Sequence, residues 1–126
     1  MFADTKAFSG FAVDDLERAR AFYADTLGVN VEVLDAENGL MTLHLTGGRD
    51  TLVYPRPGFE PATYTILNFA VDDVEAAVDA LGERGVRFER YDGFDQDEKG
   101  IMRGNGPDIA WFKDPAGNIL SVLSAT

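Results

Sequence analysis

Few side chains in this sequence can do chemistry. Its single histidine, His44, lies in GLMTLHL at 39–45, where Met41, Leu43 and Leu45 alternate with Thr42 and His44. In a strand that alternation turns the apolar set to a core and sends Thr42 and His44 to the opposite face. An imidazole titrates near neutral pH, so His44 is a candidate acid, base or ligand contact. A lone strand histidine is more often simply hydrogen-bonded. Tyr54 and Glu98 are the other candidate acid–base groups. Tyr54, Tyr64 and Trp111 can stack on a planar or cationic ligand, or serve core and dimer packing. Asn68 can orient a ligand through its amide, or bond a neighbouring strand. With no cysteine there is no disulfide, thiolate nucleophile or cysteine-held zinc or iron–sulfur site. A transition metal would have to rely mostly on oxygen ligands, a poor match to zinc, nickel or iron, so neither a metal nor a cofactor is expected.

The carboxylates that stand out come in pairs. FAVDDLERA at 11–19 returns as FAVDDVEAA at 69–77, with seven of nine residues identical. That could be read as a doubled active site, but the flanking patterns give another role. Each copy follows an alternating, strand-like segment, and Asp14 and Asp72 fall where a helix N-cap belongs, with Glu17 and Glu75 three residues on as capping-box partners. Matching stripes follow, Leu16, Ala19, Tyr23 and Leu27 in one helix and Val74, Ala77, Val78 and Leu81 in the other. Both helices run into a Gly-Val step, at Gly28 and Gly85, where glycine can take the left-handed conformation. Three strand-like segments come next in each half: about 29–35, 39–45 and 51–55, then 86–92, 108–114 and 118–124.

The pattern predicts an α+β fold of two tandem βαβββ modules forming a cup-shaped curved sheet with helices outside, in a single domain over residues 1–126. Module one spans about 5–56 and module two about 63–125, with a proline- and glycine-rich linker at 55–62. Alternation puts Phe11, Val13, Leu67, Phe69, Val71, Leu120 and Val122 under the helices. The other face then carries Phe8, Gly10, Ala12, Tyr64, Ile66, Asn68, Ala70, Ile119, Ser121 and Leu123, largely apolar with a few polar groups, as in a small-molecule cup.

Residues 91–106 are glycine-punctuated and charged, and read as a binding loop or lid, a solvated loop, or in part a further short strand. Glu98, Lys99 and Arg103 are possible polar ligand contacts there. Asp95, Asp97 and Gly100 imitate the start of a calcium loop, but Lys99 and Gly106 occupy ligand positions. DPAGN at 114–118 is a hairpin turn, and Asp114 is structural. A net charge of −11 repels phosphate backbones, so no nucleic acid is expected; the acidity serves to keep a small protein in solution, and its field would also favour a cationic ligand. No apolar run reaches the roughly 20 residues of a membrane span, and no signal peptide is visible. The chain is therefore expected in the cytoplasm and away from membranes.

FAVDDLERARAFYADTLG, its partner FAVDDVEAAVDAL, and FKDPAGNILSV near the end make the chain resemble the vicinal oxygen chelate superfamily, the glyoxalase/bleomycin-resistance/dioxygenase group. The resemblance implies paired βαβββ modules, and commonly a homodimer. It places metal ligands of metal-using members at Phe8, Ile66 and Ser121, none of them the His, Gln or Glu of the family, while Thr51–Tyr54 offers no carboxylate. The expected function is therefore binding of a small molecule, cationic or aromatic, in an apolar cup without a transition metal. Phe8, His44, Tyr54, Tyr64, Ile66, Asn68, Trp111 and Ser121 are the candidate contacts. One alternative is a metal-independent lyase, isomerase or other enzyme using His44, Tyr54 or Glu98. Another is a dimeric interaction protein with its cup filled by side chains.

Overall fold

The computed structural model describes residues 1–104 and 106–125. Asn105, which belongs to the expected binding loop, and Thr126 lie outside the described residues. The chain divides into two compact units, Met1–Glu60 and Pro61–Thr126. No helix among the described residues is long and apolar enough to cross a membrane. The fold is α+β, with two open sheets and few helices.

The first unit holds β1 (Ser9–Val13), α1 (Leu16–Ala21), β2 (Asn30–Asp35), β3 (Leu40–His44) and β4 (Thr51–Pro55). The sheet order is β1-β4-β3-β2, parallel between β1 and β4 and antiparallel elsewhere. A parallel pair needs a crossover, and the α1 segment begins that return. The core side carries Val13, Met41, Leu43 and Val53, all fully buried with Tyr23, whose ring lies 5.7 Å from that of Phe11. The alternation thus puts Phe11 and Val13 on the helix side, as expected.

The cap is displaced by one residue. Asp15, not Asp14, is extended (φ −141°) and accepts from the Arg18 amide at 2.9 Å. Glu17 then lies too early to reach back as a capping-box partner and pairs instead with Arg20 at 2.8 Å. α1 is shorter than its stripe suggests: it widens into a π-helical turn, Phe22–Thr26, in which the Leu27 amide donates to the Phe22 carbonyl at 2.9 Å. Gly28, at φ +73°, ends it.

The second unit holds β5 (Thr65–Val71), α2 (Val74–Glu83), β6 (Ile109–Lys113) and β7 (Ile119–Ser124), in sheet order β5-β7-β6. Here too the second aspartate caps, Asp73 accepting from the Ala76 amide at 3.0 Å, while Asp72 precedes the cap. Gly85 closes the helix at φ +89°. The core is Val74, Val78, Ile101, Ala110, Phe112, Leu120 and Val122.

The strand expected at 86–92 does not form. It is reduced to one bridge, Phe88 with Phe112, and a Glu89 amide bond to the Trp111 carbonyl at 2.8 Å. Beyond that point a side chain takes the backbone groups a ladder would use. Gln96 accepts from the Tyr91 amide at 2.9 Å and donates to the carbonyls of Glu89 and Gly100 at 3.0 and 2.8 Å. Asp97 accepts from the Lys99 and Ile101 amides at 2.9 Å each, and Arg90 donates to the Asp97 and Glu98 carbonyls. Short bridges Gln96–Met102 and Met102–Ile109 complete the segment. The turn at 114–118 is structural as read: buried Asp114 accepts from the Ala116 and Asn118 amides, and Gly117 takes φ +95°.

Candidate functional site

Cross-strand register builds the site in the first unit. Gly10 pairs with Leu52, Leu52 with Thr42, and Thr42 with Glu32, so one row crosses all four strands. The next row is Phe11, Val53, Met41 and Val33. Val53 and Met41 are core, so the row of Leu52, Thr42 and Glu32 looks the other way. On that face lies a cavity of about 360 Å³. Phe8, Leu34 and Leu52 give its apolar wall, and Lys6, Glu32, Thr42, His44 and Asp50 its polar groups. The Thr42 hydroxyl donates to the Thr51 carbonyl at 3.3 Å.

His44 is held on both sides. Nδ1 is 2.9 Å from Asp50 Oδ1 and Nε2 is 2.8 Å from Glu32 Oε1. A carboxylate only accepts, so both contacts are hydrogen bonds only when both ring nitrogens carry protons. The Glu32 carboxylate first, and then that of Asp50, pushes the imidazole pKa above its ordinary value, and the small loss of solvation does not reverse this. The charged ring has no nitrogen free to accept a proton. The two carboxylates sit on opposite nitrogens and cannot converge on one ion with the imidazole. Among the described residues no group of three or more histidine, aspartate or glutamate side chains is placed to hold a metal ion.

Of the residues singled out in the sequence, Phe8 and His44 meet at this cavity, with Phe8 65% exposed. Tyr54, two residues beyond Leu52 on the same strand face, is exposed and does not line the cavity. The alternation of VNVEVLD placed Glu32 opposite its valines, a signal that could have found it. Asp50 lies just before β4 and had no periodic signal.

In the second unit another row forms, Asn68 with Ser121 and Ser121 with Trp111. The fully buried Ser121 hydroxyl donates to Asn68 Oδ1, so these two candidates bond each other. Trp111 packs with Tyr91 and Phe94, with ring centroids 5.6 and 5.4 Å away. Among the described residues the buried Tyr91 hydroxyl has no hydrogen-bond partner, and burial pushes its pKa up. Tyr64 is 69% exposed, and Ile66 is half-buried beside it in β5. Glu98 belongs to this unit and not to the His44 group; its carbonyl accepts from Arg90. Lys99 pairs with Asp79 at 2.9 Å, and Arg103 with Glu75, Asp97 and Asp108 at 3.0–3.3 Å. These cations tie the loop to α2 and to the start of β6. A second cavity, of about 340 Å³, is lined by Asp72, Asp73, Glu75, Arg103 and Asp108.

The donor chemistry does not fit the metal set implied by the family resemblance. Phe8 and Ile66 have no donor atom, and the Ser121 hydroxyl is given to Asn68.

The model of the Glyoxalase/Bleomycin resistance protein/Dioxygenase superfamily matches residues 7–122. The chain is similar in structure to TnmS3, an antibiotic binding protein from Streptomyces sp. CB03234, with a TM-score of 0.73, 23% identity and 98% of each chain covered. It is similar to a glyoxalase/bleomycin resistance protein/dioxygenase superfamily member from Sphaerobacter thermophilus DSM 20745, with a TM-score of 0.71, 24% identity, and 94% of this chain and 97% of that one covered. SA1046 from S. aureus gives a TM-score of 0.69 at 18% identity, covering 97% and 98%. At these identities the likeness is one of fold. Among curated proteins no sequence matches the chain.

Proposed function

The chain belongs to the glyoxalase/bleomycin resistance protein/dioxygenase superfamily, and on that premise we propose that it binds a small organic molecule, cationic or aromatic, in the cavity of its first unit without a transition metal. The observation that carries this reading is the cavity itself. At about 360 Å³ it falls in the size range of small-molecule sites. It also has their composition, an apolar wall of Phe8, Leu34 and Leu52 with a few fixed polar groups. TnmS3, a protein of similar fold, is an antibiotic binding protein, which supports the same use of the fold. The donor-less Phe8 and Ile66 support the metal-free part.

Binding is favoured over metal-free base catalysis by the geometry of His44, whose two ring nitrogens each face a carboxylate. A ring that donates from both nitrogens positions charge and cannot act as a base until one contact is released. Neither Tyr54 nor Glu98 lines the cavity. The reading includes a homodimer, an expectation drawn from the family, which solution mass tests.

Thermal denaturation with a panel of cationic, aromatic and small acidic compounds, on protein dialysed against a chelator, tests the function. A ligand of the native state stabilises by mass action, about 2.7 kcal/mol at a hundred times Kd. We expect cationic aromatic compounds to raise Tm in chelator-treated protein. Phe8→Ala should leave the unliganded Tm near that of the parent and reduce the shift, because Phe8 is largely exposed. A flat Tm across the panel overturns the proposal.

A further inference from the structure

The bridge Glu32–His44–Asp50 holds only while the ring is charged. A neutral imidazole has one N–H and one lone pair, so one of the two contacts, at 2.8 and 2.9 Å, must then set a lone pair against a carboxylate. Glu32 is the partner freer to give way. It lies on β2, an edge strand of its sheet, and its side chain is 59% exposed against 45% for Asp50. The charged groups facing the imidazole are Glu32 from β2 and Asp50 from the turn before β4, with Lys6 from the segment before β1 lining the same cavity. Loss of the ring proton leaves a nitrogen lone pair, an undirected carboxylate and the apolar surfaces of Phe8, Leu34 and Leu52 around one space. That set complements a cation with at least two N–H donors, one for the lone pair and one for the carboxylate, attached to an apolar body.

We propose that this cavity takes a primary or secondary ammonium ion carrying an apolar body in exchange for the proton on His44, the ammonium replacing the ring N–H as donor to Glu32. The exchange balances in charge and atoms: the charged ring releases one proton to solvent as one ammonium enters, and no covalent bond changes. The proposal rests on the small-molecule reading above and adds to it the ligand class and its coupling to pH.

The probe is 2-phenylethylammonium, followed by calorimetry at about pH 5.5 and about pH 8.5 in buffers of differing ionisation enthalpy. We expect binding about tenfold or more tighter at the higher pH, with net proton release between the two. His44 is the chain's sole histidine, so its NMR signal is assigned without mutation. Saturating probe should lower its titration midpoint, by about one pH unit for each tenfold of coupling. Glu32→Gln, at an exposed edge position, should weaken binding at about pH 8.5 and so reduce the pH dependence, since the ammonium loses its carboxylate while His44 still titrates. The trimethylated analogue, which has no N–H, should show a much smaller pH dependence, left to charge repulsion alone. Equal affinity of 2-phenylethylammonium at both pH values, an unmoved His44 midpoint, or the same pH dependence for the trimethylated analogue overturns the exchange. If 2-phenylethanol binds as tightly as the ammonium at both pH values, the exchange is wrong and the small-molecule reading stands. Absence of binding by every probe at both pH values overturns both.

Discussion

At His44 the chemistry is set by what faces the two ring nitrogens. Carboxylates at 2.8 and 2.9 Å make the charged form the bonded form, which raises the pKa above the ordinary 6.5. A group whose pKa is raised on folding adds stability that is full below its unfolded value and lost as pH climbs through the folded one. The parent protein should therefore lose more of its urea midpoint between about pH 6 and about pH 9 than His44→Gln does. Parallel losses would show that the bridge contributes nothing to folding. Asn68 and Ser121 make the complementary point. Register sets them side by side, and the buried Ser121 hydroxyl is committed to Asn68 Oδ1 before any ligand arrives.

Among the elements, the helix starts show how far a local pattern reaches. Each repeat offers two aspartates, and both can cap by composition. The backbone chooses the second, because Asp15 and Asp73 are the residues still extended where the helix begins. Asp73→Ala should cost about 1 kcal/mol in urea denaturation, whereas Asp72→Ala should stay within about 0.5 kcal/mol. A reversed order would return the cap to the first aspartate. The missing strand at 86–92 has an equally specific cause. Its residues suit a ladder, but Gln96 binds the very amide and carbonyl the ladder needs, and Asp97 organises the residues that follow. Burial alone would raise the Asp97 pKa, yet the amide bonds from Ile101 and Lys99 and the Arg103 contact hold it below the ordinary range. A side chain competing for backbone partners leaves no mark in hydrophobic periodicity, so the segment read as a strand.

Over the whole chain, the net charge of −11 supplies a field that favours cations near any part of the surface. That contribution is screened when the Debye length shrinks from tens of ångströms to a few. Affinity for 2-phenylethylammonium should accordingly fall several-fold between about 0.02 and about 0.5 M salt, while 2-phenylethanol shows no comparable fall. A salt-insensitive cation would confine the attraction to the Glu32–His44 contact.

FAVDDLERA and its repeat made the α+β architecture, the helix starts to within one residue (Asp14 and Asp72 read for the actual caps Asp15 and Asp73), and the family readable from the chain alone. These features arise from near neighbours: strand alternation, helical stripes, a cap three residues from its amide, a glycine at a left-handed turn. Tertiary structure alone decided that Glu32, from twelve residues away, and Asp50, from across a turn, would close on opposite nitrogens of His44. It also decided that Gln96 would displace a strand. Cross-strand register and the closure of turns are long-range, and a one-residue slip would send Glu32 to the other face. That dependence is why the lone histidine read in the sequence as a candidate acid, base or ligand contact, or simply a hydrogen-bonded ring, and in the folded chain lies between two carboxylates that favour its charged form.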